Sequence, residues 1–157
     1  MQNTLSRRQL LLTSAAVLAS ACAQGPKVYN MQVSRDDGCT CCSAWADLME
    51  KSGRFRITMF DAGDAPTFKR SVGVPRGMGA CHTAMIGNYV FEGHVPAEDI
   101  LRFMEEKPAS VLGLVVPGMP RGSTGMEQPN GTKDTFIVYA FKTGGATTEY
   151  ATHSGNA

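Results

Sequence analysis

Cys39, Cys41 and Cys42 fall within four consecutive positions of the segment 36–45, DDGCTCCSAW, and a fourth cysteine follows in the pair Cys81–His82. Three chemistries are open to thiols at this spacing. Four cysteines in an oxidising compartment read by default as two structural disulfides. Cys39 and Cys42 also make a Cys-x-x-Cys pair, the spacing of a redox dithiol. Cys41 next to Cys42 is what such a dithiol does not need. Adjacent residues project in different directions, so the two fit one tetrahedral ion poorly but can serve neighbouring metals in a thiolate-bridged cluster. Soft thiolates select Cu(I), zinc or iron–sulfur centres, and the spacing does not choose among them.

The elements that must position these sulfurs come next. Residues 27–34, KVYNMQVS, alternate and are partly β-branched, which predicts a strand. CCSAWADLMEKSG predicts a helix with Trp45, Leu48 and Met49 on one stripe and a stop at Gly53. The cysteines therefore stand at a helix N-terminus, whose unpaired N–H groups and partial positive charge favour thiolates. Residues 55–63 read as a second strand, and Asp64 caps a short helix with Pro66 in its first turn. CHTAMI and YVFEGHV flank Gly87–Asn88, a pair suited to a two-residue hairpin turn. Residues 96–108, PAEDILRFMEEKP, predict a helix with acids in its first turn and Pro108 as its stop. The order is βαβαββα, a thioredoxin-like α/β arrangement, with FIVYAF (136–141) as an extra C-terminal strand and 144–157 as a flexible tail. In that order the start of the first helix lies beside the loop before the third strand, so Cys39, Cys41 and Cys42 are expected to meet Cys81 and His82.

Length and composition suit one soluble domain: 157 residues, 43% hydrophobic and 18% charged, with 17 Gly and 8 Pro for turns. Residues 1–23 read as a cleaved export signal and 24–143 as the metal-binding domain. Arg7 and Arg8 precede an apolar run from Leu10 to Ala21 that Ser and Thr interrupt, too short for a membrane-spanning helix. The arginine pair resembles a twin-arginine leader, and the expected location is the periplasm. Cys22 follows Leu18-Ala19-Ser20-Ala21, similar to a lipoprotein cleavage site except for Ala19, where a larger aliphatic is usual; cleavage after Ala21 or Ala23 is the alternative. A membrane contact is expected only if Cys22 is lipidated. Without the leader, 13 basic residues face 14 acidic ones, and no basic patch recruits nucleic acid.

GCTCCSAW, GVPRGMGACHTAMIGNYVFEGHVPAEDI and GLVVPGMPRGSTGME together resemble the small exported metal-binding proteins of the domain of unknown function 411 family, which includes CopG-type copper-resistance proteins. The likeness covers roughly residues 27–129, with three motifs in the same order. It implies a thioredoxin-like fold that binds copper, as Cu(I) or Cu(II) and in a multinuclear cluster, through Cys39, Cys41, Cys42 and Cys81 with His82 beside them. It implies a role in copper resistance, with a copper exporter or another periplasmic copper protein as partner. Redox conversion of the metal is compatible with this reading. The alternative is a thiol–disulfide oxidoreductase using Cys39 and Cys42.

The remaining candidates are weaker. His94 precedes the last predicted helix, where capping or packing explains it, and His153 belongs to the tail. Met119 and Met126 occupy a Gly/Pro-rich loop where a thioether can donate to Cu(I), though filling a core gap is the plainer role. Met31, Met49, Met59, Met85 and Met104 read as core, as does Trp45 beneath the cysteines. Asp36–Asp37 read as a solvated turn.

Overall fold

A computed structural model of the chain describes residues 25–61 and 63–156; the expected leader, including Cys22, lies outside the described residues. Strand β1 (Tyr29–Arg35) alternates as read, turning Tyr29, Met31 and Val33 inward. Helix α1 (Thr40–Lys51) follows and returns the chain to β2 (Phe55–Asp61), which pairs parallel to β1. Helix α2 (Ala65–Ser71) is capped by Asp64, whose side chain accepts from the Thr67 N–H. Strands β3 (His82–Ile86) and β4 (Tyr89–Glu92) form the hairpin at Gly87–Asn88. Helix α3 (Ala97–Glu106) then crosses to β5 (Gly113–Val115), parallel to β4, and β6 (Phe136–Phe141) and β7 (Thr147–His153) close the chain. The result is a mixed α/β architecture: one seven-stranded sheet in the order β2-β1-β3-β4-β5-β6-β7 with three helices.

Three strands follow α3, where one was expected. β5 is only three residues long, too short for a periodic signal, and packs so closely that a Cβ on Gly113 would lie 1.6 Å from the Val90 carbonyl oxygen. The expected flexible tail instead carries β7 (Thr147–His153), paired antiparallel with β6 except for a bulge at Tyr150, opposite Val138–Tyr139. Its residues TTEYATH are mostly polar because β7 is the sheet edge, and polar composition hid the alternation.

The core is continuous beneath α1 and α3. Trp45, Met49, Phe91, Ile100, Phe103 and Leu114 are each fully buried, and cutting a phenylalanine such as Phe103 back to alanine would cost about 3–5 kcal/mol. Leu48, placed on the apolar stripe from the sequence, is 36% exposed. The buried face of α1 runs through Cys42, Trp45, Ala46 and Met49, so the stripe is centred one residue away from Leu48. No helix among the described residues is long and apolar enough to cross a membrane.

Candidate metal centre

β1 ends in an exposed turn, Asp36–Gly38, and α1 begins at once, so Cys39 becomes the helix N-cap. Its sulfur accepts from the Cys42 N–H at 3.3 Å, doing the work usually done by a serine or aspartate oxygen. Arg35 steadies this turn from below: it pairs with Asp61 at 2.8 Å and donates to the Ser43 hydroxyl at 2.6 Å, which in turn donates to the Cys39 carbonyl. Across the sheet, the Asp36 N–H donates to the Cys81 carbonyl at 3.1 Å. That bond brings the loop before β3 against the first turn of α1.

The four sulfurs gather as the strand–helix order leads one to expect. Those of Cys39, Cys41, Cys42 and Cys81 all lie within 4.8 Å of one another. Cys41 stands 3.4 Å from Cys39 and 3.8 Å from Cys81. Cys39 and Cys42 are joined as a disulfide, while Cys41 and Cys81 are free thiols.

Cys81 also belongs to a second cluster. The Cys81 sulfur is 3.5 Å from His82 Nδ1 and 3.2 Å from His94 Nε2, and these three atoms likewise lie within 4.8 Å of each other. His94 Nδ1 stands 2.8 Å from the Thr124 carbonyl oxygen. A carbonyl can only accept, so Nδ1 carries the proton and Nε2 turns its lone pair toward Cys81. His82 Nε2 is buried with no hydrogen-bond partner among the described residues. His94, read from the sequence as a packing or capping residue and a weaker ligand candidate, is fully buried against the His82 ring, and its Nε2 also lies 3.2 Å from the Cys81 sulfur.

Burial sets the protonation of this cluster. The His82 imidazole is pushed down to about 3, first by burial, then by repulsion between its protonated form and positive charge on His94 and Lys69. His94 is also lowered, mainly by burial, against the opposing bond to Thr124. Both rings are neutral near pH 7, with lone pairs free to donate. The Cys81 thiol is pushed up to about 12 by burial and by the neighbouring Cys41, so it holds its proton until a cation displaces it.

Several supporting residues escaped the sequence reading. Glu92 is fully buried, and its carboxylate accepts from Lys69 Nζ at 2.8 Å, the Ala80 N–H at 2.7 Å and the Thr83 hydroxyl at 2.6 Å. It thereby ties α2 and the residue before Cys81 to β4. A lone acid inside the apolar run YVFEGHV was the available signal. The loop after β5 forms a wall of the site: a Cβ on Gly125 would lie 2.7 Å from the Trp45 nitrogen and 3.0 Å from the Cys41 carbonyl, and its φ of +82° suits glycine. Trp45 fills the floor, donating to the Val95 carbonyl at 3.0 Å with its ring 4.5 Å from that of His82.

The weaker candidates separate. Met119 does not fill a core gap; it is 54% exposed. Met126 is half-buried in the same loop, and neither methionine is in the two donor clusters. His153 lies on β7 and meets the buried Asp99 at 2.6 Å, far from the sulfurs in role. Asp36 and Asp37 are exposed, as read.

The donor chemistry fits copper: up to four sulfurs and two neutral imidazoles are soft and borderline ligands of the kind that hold Cu(I), with the imidazoles also suited to Cu(II). The family described as "Protein of unknown function, DUF411" matches residues 78–126. A solved structure called "Copper resistance protein copG- Form 1" aligns at 36% identity with a TM-score of 0.75, covering 82% of this chain and 100% of its own. A second, "Copper resistance protein copG- Form 2", aligns at 36% identity and 0.74, covering 81% and 99%. No curated protein matches the chain.

Proposed function

We propose that this chain, which belongs to the DUF411 family of CopG-type copper-resistance proteins, binds copper through Cys39, Cys41, Cys42 and Cys81 in their reduced form, with His82 and His94 completing the donor set. The observation that carries this is the sharing of Cys81: one sulfur lies within ligand reach of three others on one side and two neutral imidazoles on the other. A thiolate so placed can bridge, and six donors exceed what one four-coordinate ion takes, which supports a site of more than one metal. Thiolates favour Cu(I) and imidazoles accept either oxidation state, so interconversion of Cu(I) and Cu(II) is part of the proposal. The thioredoxin-like assignment belongs here too, supported by the order β2-β1-β3-β4 with β1 and β2 parallel and β3 antiparallel to β1. The periplasm is the proposed location, resting on the twin-arginine-like leader, and a copper exporter or another periplasmic copper protein the proposed partner.

The test is a Cu(I) titration of the fully reduced protein against a colorimetric chelator. More than one Cu(I) per chain is expected, with Cys41→Ser and Cys81→Ser each lowering that number and weakening copper tolerance in cells. A Cys41→Ser protein with unchanged copper content and tolerance would sink the cluster.

One observation favours a second reading. The Cys39–Cys42 disulfide at the start of α1 is the arrangement of a thiol–disulfide oxidoreductase. Fast insulin reduction by a protein that takes up little copper would select it.

A further inference from the structure

The Cys39–Cys42 disulfide withholds two of the four sulfurs from any metal, since the ligand is the thiolate and a disulfide has none to offer. Cys41 and Cys81 remain as thiols. The same four positions are thus two-donor or four-donor in sulfur, according to one covalent bond.

We propose that this disulfide gates copper loading and that it is opened from outside by a dithiol reductant, a protein carrying two neighbouring thiols, attacking the Cys39 sulfur. The inference rests on the copper-site proposal above. Exposure selects the atom. Cys42 has none of its surface exposed and sits over the core with Trp45 and Met49, whereas Cys39 is half-buried between the exposed Asp36–Gly38 turn and the exposed Thr40. The attacking thiolate forms a bond to Cys39 and breaks the Cys39–Cys42 bond. Cys42 leaves with the electron pair and takes up a proton; it already lies 3.7 Å from the Cys81 carbonyl, an acceptor for its S–H. The reductant's second thiol then attacks its own sulfur in the mixed disulfide and frees Cys39. In balance, one dithiol becomes a disulfide, and two electrons and two protons pass to Cys39 and Cys42.

The released Cys39 sulfur keeps its place as the cap of α1, accepting from the Cys42 N–H. A single-thiol reductant does worse. Its mixed disulfide on Cys39 would face Cys41, whose sulfur is 3.4 Å away and positioned to displace it and re-form a disulfide within the site.

The test has two arms on the whole protein. In the first, wild type is prepared oxidised, or reduced with dithiothreitol and desalted without air, and each is titrated with Cu(I) against a chelator. Reduced protein is expected to take up at least about twice the copper of oxidised protein, following the doubling of free thiols. In the second, reduced Cys41→Ser/Cys42→Ser and Cys39→Ser/Cys41→Ser are exposed to glutathione disulfide and the modified residue is found by peptide mapping. Cys39 is expected to be modified about tenfold faster than Cys42, or more. Equal copper uptake by oxidised and reduced wild type overturns the gate while leaving the site standing, and equal or faster modification of Cys42 overturns the point of attack. Absence of uptake by either form sinks the copper site itself. The wild-type arm needs no substitution, so it decides even where a variant fails to fold.

Discussion

Replacing Lys69 by methionine isolates the buried charge behind the Cys81 loop. Lys69 Nζ lies 2.8 Å from Glu92 Oε1; the carboxylate has no exposed surface and the lysine side chain keeps 14%. Methionine preserves most of the stem and removes the cation, leaving Glu92 with the Ala80 N–H and the Thr83 hydroxyl alone. Breaking a buried pair on one side costs about 3–5 kcal/mol, and the partial exposure of Lys69 points to the lower end, about 3 kcal/mol. With a urea dependence of about 1–3 kcal/mol per molar, the unfolding midpoint falls by about 1–3 M. Burial already holds the Glu92 carboxyl above its ordinary value, outweighing the Lys69 charge. The folded state therefore binds that proton more tightly than the unfolded state, and stability falls as pH rises from the unfolded value through the folded one. Losing Lys69 raises the folded value further, so the deficit of Lys69→Met is largest near neutral pH and shrinks on acidification, when a protonated Glu92 needs no counter-charge. Urea denaturation of reduced, metal-free protein at about pH 7.5 and about pH 5 measures both. The double variant Lys69→Met/Glu92→Gln should recover much of the loss, because no buried charge is left unpaired. A destabilisation under about 0.5 kcal/mol, or one equal at both pH values, would refute the account.

Other expectations are simpler to check. Trp45 is the single tryptophan and its ring is 4.5 Å from His82, so copper should quench its fluorescence in proportion to occupancy; unchanged emission on loading would place the metal elsewhere. In the oxidised protein iodoacetamide should label half-buried Cys41 well before Cys81, whose thiol is pushed up to about 12, and equal labelling at mildly alkaline pH would contradict that environment. Gly125→Ala should lower the melting temperature and loosen the Thr124 contact with His94, since its Cβ would meet the Trp45 backbone at 2.7 Å; circular dichroism and copper titration read the two effects. Arg7→Lys with Arg8→Lys should strand precursor in the cytoplasm, and normal periplasmic accumulation would point to the general secretion route.

The most legible parts of the chain were those with strong local rules. Asp64, Gly87–Asn88 and Pro108 punctuate elements by backbone chemistry alone, and the helices and hairpin between them stand where those residues require. The meeting of the two cysteine segments was legible because strand–helix order dictates which ends are neighbours. What escaped notice depends on partners far away in sequence. Nothing near His94 announces that Thr124 will orient it, nothing near Lys69 announces Glu92, and β7 reads as tail until β6 is there to pair with it. Met119 was misplaced for the converse reason: an apolar side chain in a Gly/Pro loop has no periodicity to say which way it faces.

The contacts that close the metal centre join positions 40, 13 and 30 residues apart, from Cys41 to Cys81, Cys81 to His94, and His94 to Thr124. Such distant pairings form late, because each must first overcome the entropy of closing its own loop. A nascent chain therefore displays Cys39, Cys41 and Cys42 to its surroundings long before Cys81 or either imidazole can join them, and a copper ion met at that stage would find a crowded but incomplete set of sulfurs. The finished donor set exists only once residues as late as Thr124 have been made and folded. A chain truncated before the 117–126 loop would keep Cys39, Cys41, Cys42 and Cys81 yet lack the carbonyl that orients His94.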